Sequence, residues 1–149
     1  MATKSKKMFT SLFTSSNKIV ELLKKYLSPL LLLAMRLWIA NIFFKSGMTK
    51  FSNMQQAAFL FEYEYAVPII PPTIAAYMAV TFELICPIFL VLGLVTRLAV
   101  LPLIGMALVI QIFVDQNMQH FYWLFLMTTI LIYGAGKISV DNFVKLKSA

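Results

Sequence analysis

One cysteine, Cys86, and one histidine, His120, are the chain's whole supply of thiolate and imidazole, and that scarcity closes several chemistries at once. A lone Cys forms no internal disulfide, no Cys-x-x-Cys redox pair and no thiolate metal cage. A lone His cannot give a haem two axial ligands. Nine Met residues are present, but they lie scattered in apolar runs, where such side chains fill packing gaps rather than bind copper; no metal site is expected. Charge is also sparse: Asp, Glu, Lys and Arg make up 13% of 149 residues, hydrophobic residues make up 60%, and the mean hydropathy is +0.82. These values lie outside the soluble globular range and indicate a membrane protein. At roughly 20 residues per spanning helix, about four spans would use most of the chain and leave no room for a second catalytic domain.

The pattern along the chain divides into a tail, four apolar spans and a short C-terminal segment. Residues 1–28 are basic, with Lys4, Lys6, Lys7, Lys18, Lys24 and Lys25 against Glu21. Within them Ile19, Leu22, Leu23, Tyr26 and Leu27 recur at helical spacing, with Ser15 or Ser16 placed to cap, which predicts an amphipathic helix lying on the membrane surface. The tail is too polar for a cleaved signal peptide, and no small-residue cleavage site comes after it. The domain of residues 29–136 then holds spans at about 29–48, 73–95, 98–114 and 121–135. Residues 137–149 form a second tail. The single long link, Thr49 to Pro72, contains "FLFEYEYAVPIIPP" and is expected at the membrane interface, pinned by Phe59, Phe61, Tyr63 and Tyr65.

Lys and Arg cluster on one side of this topology: the N-terminal tail, Arg97 between the second and third spans, and Lys137, Lys145 and Lys147 at the C-terminus, with Lys50 on the other side. Since cytoplasmic loops carry the positive excess, both termini are expected in the cytoplasm, and Glu62, Glu64, Asp115 and His120 outside. The fold class implied is an all-α, multi-pass, four-transmembrane-helix bundle with both termini in the cytoplasm. The basic residues read as topology signals drawn to anionic lipid; no nucleic-acid module is visible.

The charges inside the spans are the candidate site. Glu83 lies about 15 Å from the outer end of its span, near the centre of a hydrocarbon layer about 30 Å thick. A charge at that depth costs about 2.5–3.5 kcal/mol on insertion scales and needs a partner or a proton. Arg36 and Lys45 are the cations of the first span, and at 100° per residue they occupy opposite faces. Arg36 shares its stripe with Ala40, Phe43, Gly47 and Lys50, where small residues allow close packing, whereas Lys45 can snorkel to water. An Arg36–Glu83 ion pair is therefore expected in the interior, either as a clasp between helices or as the wall of a cavity. Pro87, one turn beyond Glu83, would free a carbonyl near the carboxylate. His120 and Trp123 suit the outer headgroup layer. In "YGAGKISVDNF", Gly134 and Gly136 end the last span in a turn, and Ser139 or Asp141 can cap the segment after it. Two glycines with one spacer and no preceding strand do not make a nucleotide-binding loop.

The ordered blocks "MRLWIANIFFKSGMTKF", "FEYEYAVPIIPPTIAAYMAVTFELICPIFLVLGLVTRLAVLPLIGMALVIQIFV" and "HFYWLFLMTTILIYGAGKISVDNF" resemble the DoxX family of small bacterial inner-membrane proteins, from about Met35 to Phe143. The family's Arg opening the first span falls on Arg36, its Gly and Lys closing that span on Gly47 and Lys50, and its acid in the second span on Glu83. Its Gly-Leu-x-Thr-Arg turn falls on Gly93, Leu94, Thr96 and Arg97, its His and Trp before the last span on His120 and Trp123, and its C-terminal pattern on Gly134, Gly136, Ser139 and Asp141. The sequence departs from that pattern at Ala135, where Pro is usual, and at Lys45, where an apolar residue is usual.

The resemblance implies a four-helix membrane protein working beside membrane redox chemistry, as a subunit or accessory of a quinone-linked or oxidative-stress system. No cofactor is evident in the residues themselves; the resemblance admits a quinone or protons in a cavity lined by Arg36 and Glu83, with redox-complex subunits as partners. No residue set here carries electrons unaided, so independent catalysis is not expected. The competing reading is a scaffold, or a transport or assembly accessory, whose basic tail recruits soluble cytoplasmic proteins. Association with further copies of the chain is left open by both.

Overall fold

A computed structural model describes residues 2–65, 70–113 and 118–148, with side chains from residue 17 onward apart from a few positions. Asp115, residues 66–69 of the long link and the side chains of Lys4, Lys6, Lys7, Ser15, Ser16 and Ile19 lie outside the described residues. Six helices and no strand occur among those described: α1 Ala2–Ser52, α2 Met54–Tyr63, α3 Pro72–Leu92, α4 Thr96–Phe113, α5 Met118–Tyr133 and α6 Val140–Ser148.

α1 is continuous, which corrects the expectation of a separate surface helix ending at residue 28. Between Lys18 and Pro29 the chain has strong helix formers and no glycine, so nothing stops the helix there. Pro29, inside α1, removes only the hydrogen bond to the Lys25 carbonyl. Among the described side chains of α1 burial begins at Leu32, and Leu22, Leu23, Tyr26 and Leu27 before it are exposed.

The other boundaries obey local chemistry. Asn53 caps α2, its side chain accepting from Gln56 N at 3.1 Å, so part of the long link is helix. Pro72 opens α3, where a missing N–H costs nothing. Gly93 closes it in the left-handed region (φ 68°), with Gly93 N donating to Leu90 O and Leu94 N to Phe89 O, the Schellman arrangement. Gly134 and Gly136, with φ of 74° and 75°, turn the chain after α5.

α1 packs on α3, α3 on α4, α4 on α5, and α5 returns to α1, while α2 lies against α3. The interior joins Ile39, Phe43, Leu90, Val100, Leu103 and Met127, and Ala40, Ala76, Ala79, Ala99 and Ala107 let the helices approach closely. The outward faces are as apolar as the interior: Trp38, Ile85, Leu98, Ile112, Phe125 and Ile132 are all exposed. A surface of that kind is matched to lipid rather than to water. Among the described residues two segments are long and apolar enough to cross a membrane, Val20–Ser52 and Pro72–Leu92, and the apolar Thr96–Ile112 is shorter.

Candidate functional site

The stripe on α1 and the acid on α3 do meet, at a different height from the one expected. Gly47 lies against Glu83: a Cβ on Gly47 would sit 2.9 Å from Glu83 Cβ and 3.1 Å from its carbonyl carbon, so only glycine allows the two backbones this approach. Lys50, nearly one turn further along the same face, then reaches the carboxylate. Its Nζ donates to Glu83 Oε1 at 2.8 Å, to Glu83 Oε2 at 2.9 Å and to Ser46 Oγ at 2.6 Å, which uses all three ammonium hydrogens. Ser46 Oγ in turn donates to Glu83 Oε1 at 3.3 Å. Lys50 and Glu83 side chains retain 11% and 4% of their exposure.

The expected Arg36–Glu83 pair is not formed. Arg36 is 11 positions from Gly47, or about 16 Å along α1, which is too far for the guanidinium to span. It is fully buried at the opposite end of the packed helices, where Nη2 donates to the Ile138 carbonyl and Nη1 and Nε have no partner. A Cβ on Gly93 would run into Nη1. The face of α1 was legible and its height was not, because helical periodicity says nothing about how far one helix slides along another.

Around Arg36 the segment after α5 folds back onto the α3–α4 turn. The Asp141 carboxylate accepts from Val95 N at 2.8 Å and Thr96 N at 3.2 Å, and Asp141 N donates to Gly93 O at 3.0 Å. Asp141 thus caps α4, which precedes it in the chain by some 45 residues, and acts on Arg36 through its charge. Val95 has φ of 47°, a strained conformation for a β-branched residue, held in place by that carboxylate. Ser139 caps α6, accepting from Asn142 N at 3.2 Å. Arg97 Nη2 donates to Ile132 O at 3.1 Å.

A cavity of about 410 Å³ adjoins the Lys50–Glu83 pair, walled by Phe61 within α2, Tyr65 just after it, Met78 and Phe82 on α3, and Pro102 and Met106 on α4. Gly105 also faces it, and a Cβ there would meet nothing within 4 Å. Two of the aromatics expected to pin the link at the interface, Phe61 and Tyr65, therefore line this cavity with their rings 4.8 Å apart, while Phe59 and Tyr63 are exposed. Burial, and after it the negative charges of Glu83 and Glu64, pushes the Tyr65 phenol up from its ordinary pKa, so it stays protonated as a donor. Ser46 and Tyr65 were missed in the sequence as site residues; Ser46 was findable, since it lies four residues before Lys50 on one side of α1.

Pro87 and Cys86 are buried in α3. His120 and Trp123 do not line the cavity: their rings meet edge to face at 4.9 Å, Trp123 meets Phe43 at 6.1 Å, and the buried His120 Nδ1 has no partner. Among the described residues no three His, Cys, Asp or Glu side chains come together as a metal site would need.

Helices apolar inside and out, with a charged pair set between them beside an apolar cavity, define a membrane protein carrying an internal polar site. The chain belongs to the DoxX family, whose model matches residues 31–116. That segment contains Arg36, Lys50 and Glu83 and stops short of α5, whereas the resemblance in the sequence runs on to Phe143. No curated protein and no solved structure matches the chain.

Proposed function

We propose that this protein is a membrane-embedded subunit or accessory of a redox system, in which the cavity takes a lipid-soluble molecule with a polar ring at one end. One observation carries the reading: the Lys50–Glu83 pair is buried at the edge of an apolar cavity of about 410 Å³, within the usual range of ligand pockets. A quinone suits these residues. The protonated Tyr65 can donate to a ring carbonyl, the Lys50 charge lies in the same wall, and Met78, Phe82 and Met106 can hold its apolar part. When bound it would supply electron transfer that the side chains cannot. Met78 and Phe82 are also exposed on the outer surface, so the cavity is reachable sideways between α3 and α4, the route a molecule dissolved in lipid would take.

In this reading α1, α3, α4 and α5 are the four spans of a multi-pass inner-membrane protein with both termini in the cytoplasm, as the distribution of Lys and Arg suggests. The test is extraction of the protein in mild detergent with analysis of bound isoprenoid quinones and co-purifying subunits. Quinone held by the native chain and lost in Lys50→Met supports the proposal; a native chain with neither quinone nor redox subunits overturns it. The second reading, a scaffold recruiting soluble partners, is favoured by the exposed Lys18, Lys24 and Lys25 on α1. It predicts that Lys18→Gln with Lys24→Gln and Lys25→Gln abolishes the recovery of any soluble partner.

A further inference from the structure

At the far end of the packed helices, away from the Lys50–Glu83 cavity, a groove of about 690 Å³ runs between the α3–α4 turn, the turn after α5, and α6. We infer that this groove binds the phosphate of an anionic phospholipid, independently of any ligand in the other cavity. Arg97, Lys137 and Lys145 line it against a single acid, Asp141. That carboxylate is already committed to Val95 N and Thr96 N, 2.8 and 3.2 Å away, and its charge also acts on Arg36. Three cations against one acid leave the groove with net positive charge.

Two donors await an acceptor there. Arg97 gives only Nη2 to the protein, to Ile132 O, which leaves most of its five-donor fork for a bidentate contact of the kind phosphate oxygens accept. Thr96 lines the same groove, is 1% exposed, and its Oγ1 has no partner; a buried hydroxyl in that state is costly unless something satisfies it.

The choice of a lipid over a free anion rests on the rest of the lining. Leu98, Tyr133 and Val144 line the groove while remaining 65%, 68% and 54% exposed, so cationic and apolar surfaces adjoin, which matches a headgroup with its acyl chains. α6 continues the same pattern: Phe143, Val144 and Leu146 are exposed beside Lys145 and Lys147, as in a helix lying at the boundary between headgroups and acyl chains. Basic pockets among membrane helices on the cytoplasmic side are where such headgroups are held.

The experiment is native mass spectrometry and thermal unfolding of the full chain in detergent, titrated separately with phosphatidylglycerol, phosphatidylcholine and inorganic phosphate. The expected result is retention of, and stabilisation by, phosphatidylglycerol over phosphatidylcholine. That preference should fall about fivefold for each cation lost in Lys137→Gln and in Arg97→Gln with Lys137→Gln, and Lys45→Gln, an exposed cation of α1 outside the groove, should keep it. Should Arg97→Gln fail to fold, Lys137→Gln decides alone, since the exposed Lys137 is tied into the fold only through its backbone carbonyl, which accepts from Asn142 Nδ2. Equal retention of both lipids, a preference unchanged in Lys137→Gln, or stabilisation by inorganic phosphate without any lipid preference would each overturn it.

Discussion

At one end of the packed helices Lys50 meets Ser46 and both oxygens of Glu83, next to an apolar cavity. At the other, Arg36 is more deeply buried, makes a single hydrogen bond to a backbone carbonyl, and is enclosed by the returning C-terminal segment. Both are cations inside an apolar protein, but Lys50 lines the cavity at its end whereas Arg36 does not line the groove at its own. Burial of a charge therefore does not distinguish a site from a structural clasp. The surroundings do: Arg36 holds the chain's end against the α3–α4 turn, and Lys50 with Glu83 forms the polar wall of a cavity.

The comparison breaks most sharply through Lys50. Lys50→Met leaves the Glu83 carboxylate buried without a counter-charge, which should cost about 3–5 kcal/mol, and Lys50→Met with Glu83→Leu should recover most of it, both read by thermal unfolding in detergent. The same double-mutant logic separates the two ends. Lys50 and Glu83 should show a coupling of at least about 3 kcal/mol, while Arg36 and Glu83 should be additive within about 0.5 kcal/mol. A large Arg36–Glu83 coupling would refute this register of α1 against α3.

Next in size is Gly93→Ala. The new Cβ would collide with Arg36 and sit 2.6 Å from Ser139 Cβ at a positive φ, so a loss of about 2–3 kcal/mol is expected, with the cavity at the other end still able to take its ligand. Asp141→Asn keeps the shape of the cap but removes the charge that faces the start of α4 and relaxes its hold on Val95; thermal unfolding should show a loss of about 1 kcal/mol.

The smallest effect concerns pH at the cavity. Because the Tyr65 phenol has a raised pKa in the folded chain, the folded state keeps its proton where the unfolded state releases it. Stability should be indifferent to this group below the ordinary tyrosine value of about 10 and decline above it. Comparing unfolding of the native chain with Tyr65→Phe at about pH 9 and about pH 11 checks this: the variant should lose less between the two.

Much of the architecture is legible in the residues alone. The ends of α3, α4 and α5 fall within a few residues of the expected spans, because apolar runs, Pro72 and the glycines at 93, 134 and 136 are local signals. The continuity of α1 was not legible, since a proline preceded by polar residues looks like a boundary until packing leaves nothing to divide. The helix formed by residues 54–63 was hidden in an aromatic and acidic mixture whose face is defined only by contact with α3.

What the sequence determined by itself was the class of protein, the extents of α3, α4 and α5, and the face of α1 on which Arg36, Ala40, Phe43, Gly47 and Lys50 lie together, because each depends on composition or on the fixed rotation of 100° per residue within one helix. Which of those residues meets Glu83 was decided only by tertiary structure. The axial position of one helix against another is set by where the backbones can touch, here at Gly47, and by the C-terminal return that holds Arg36 at the far end.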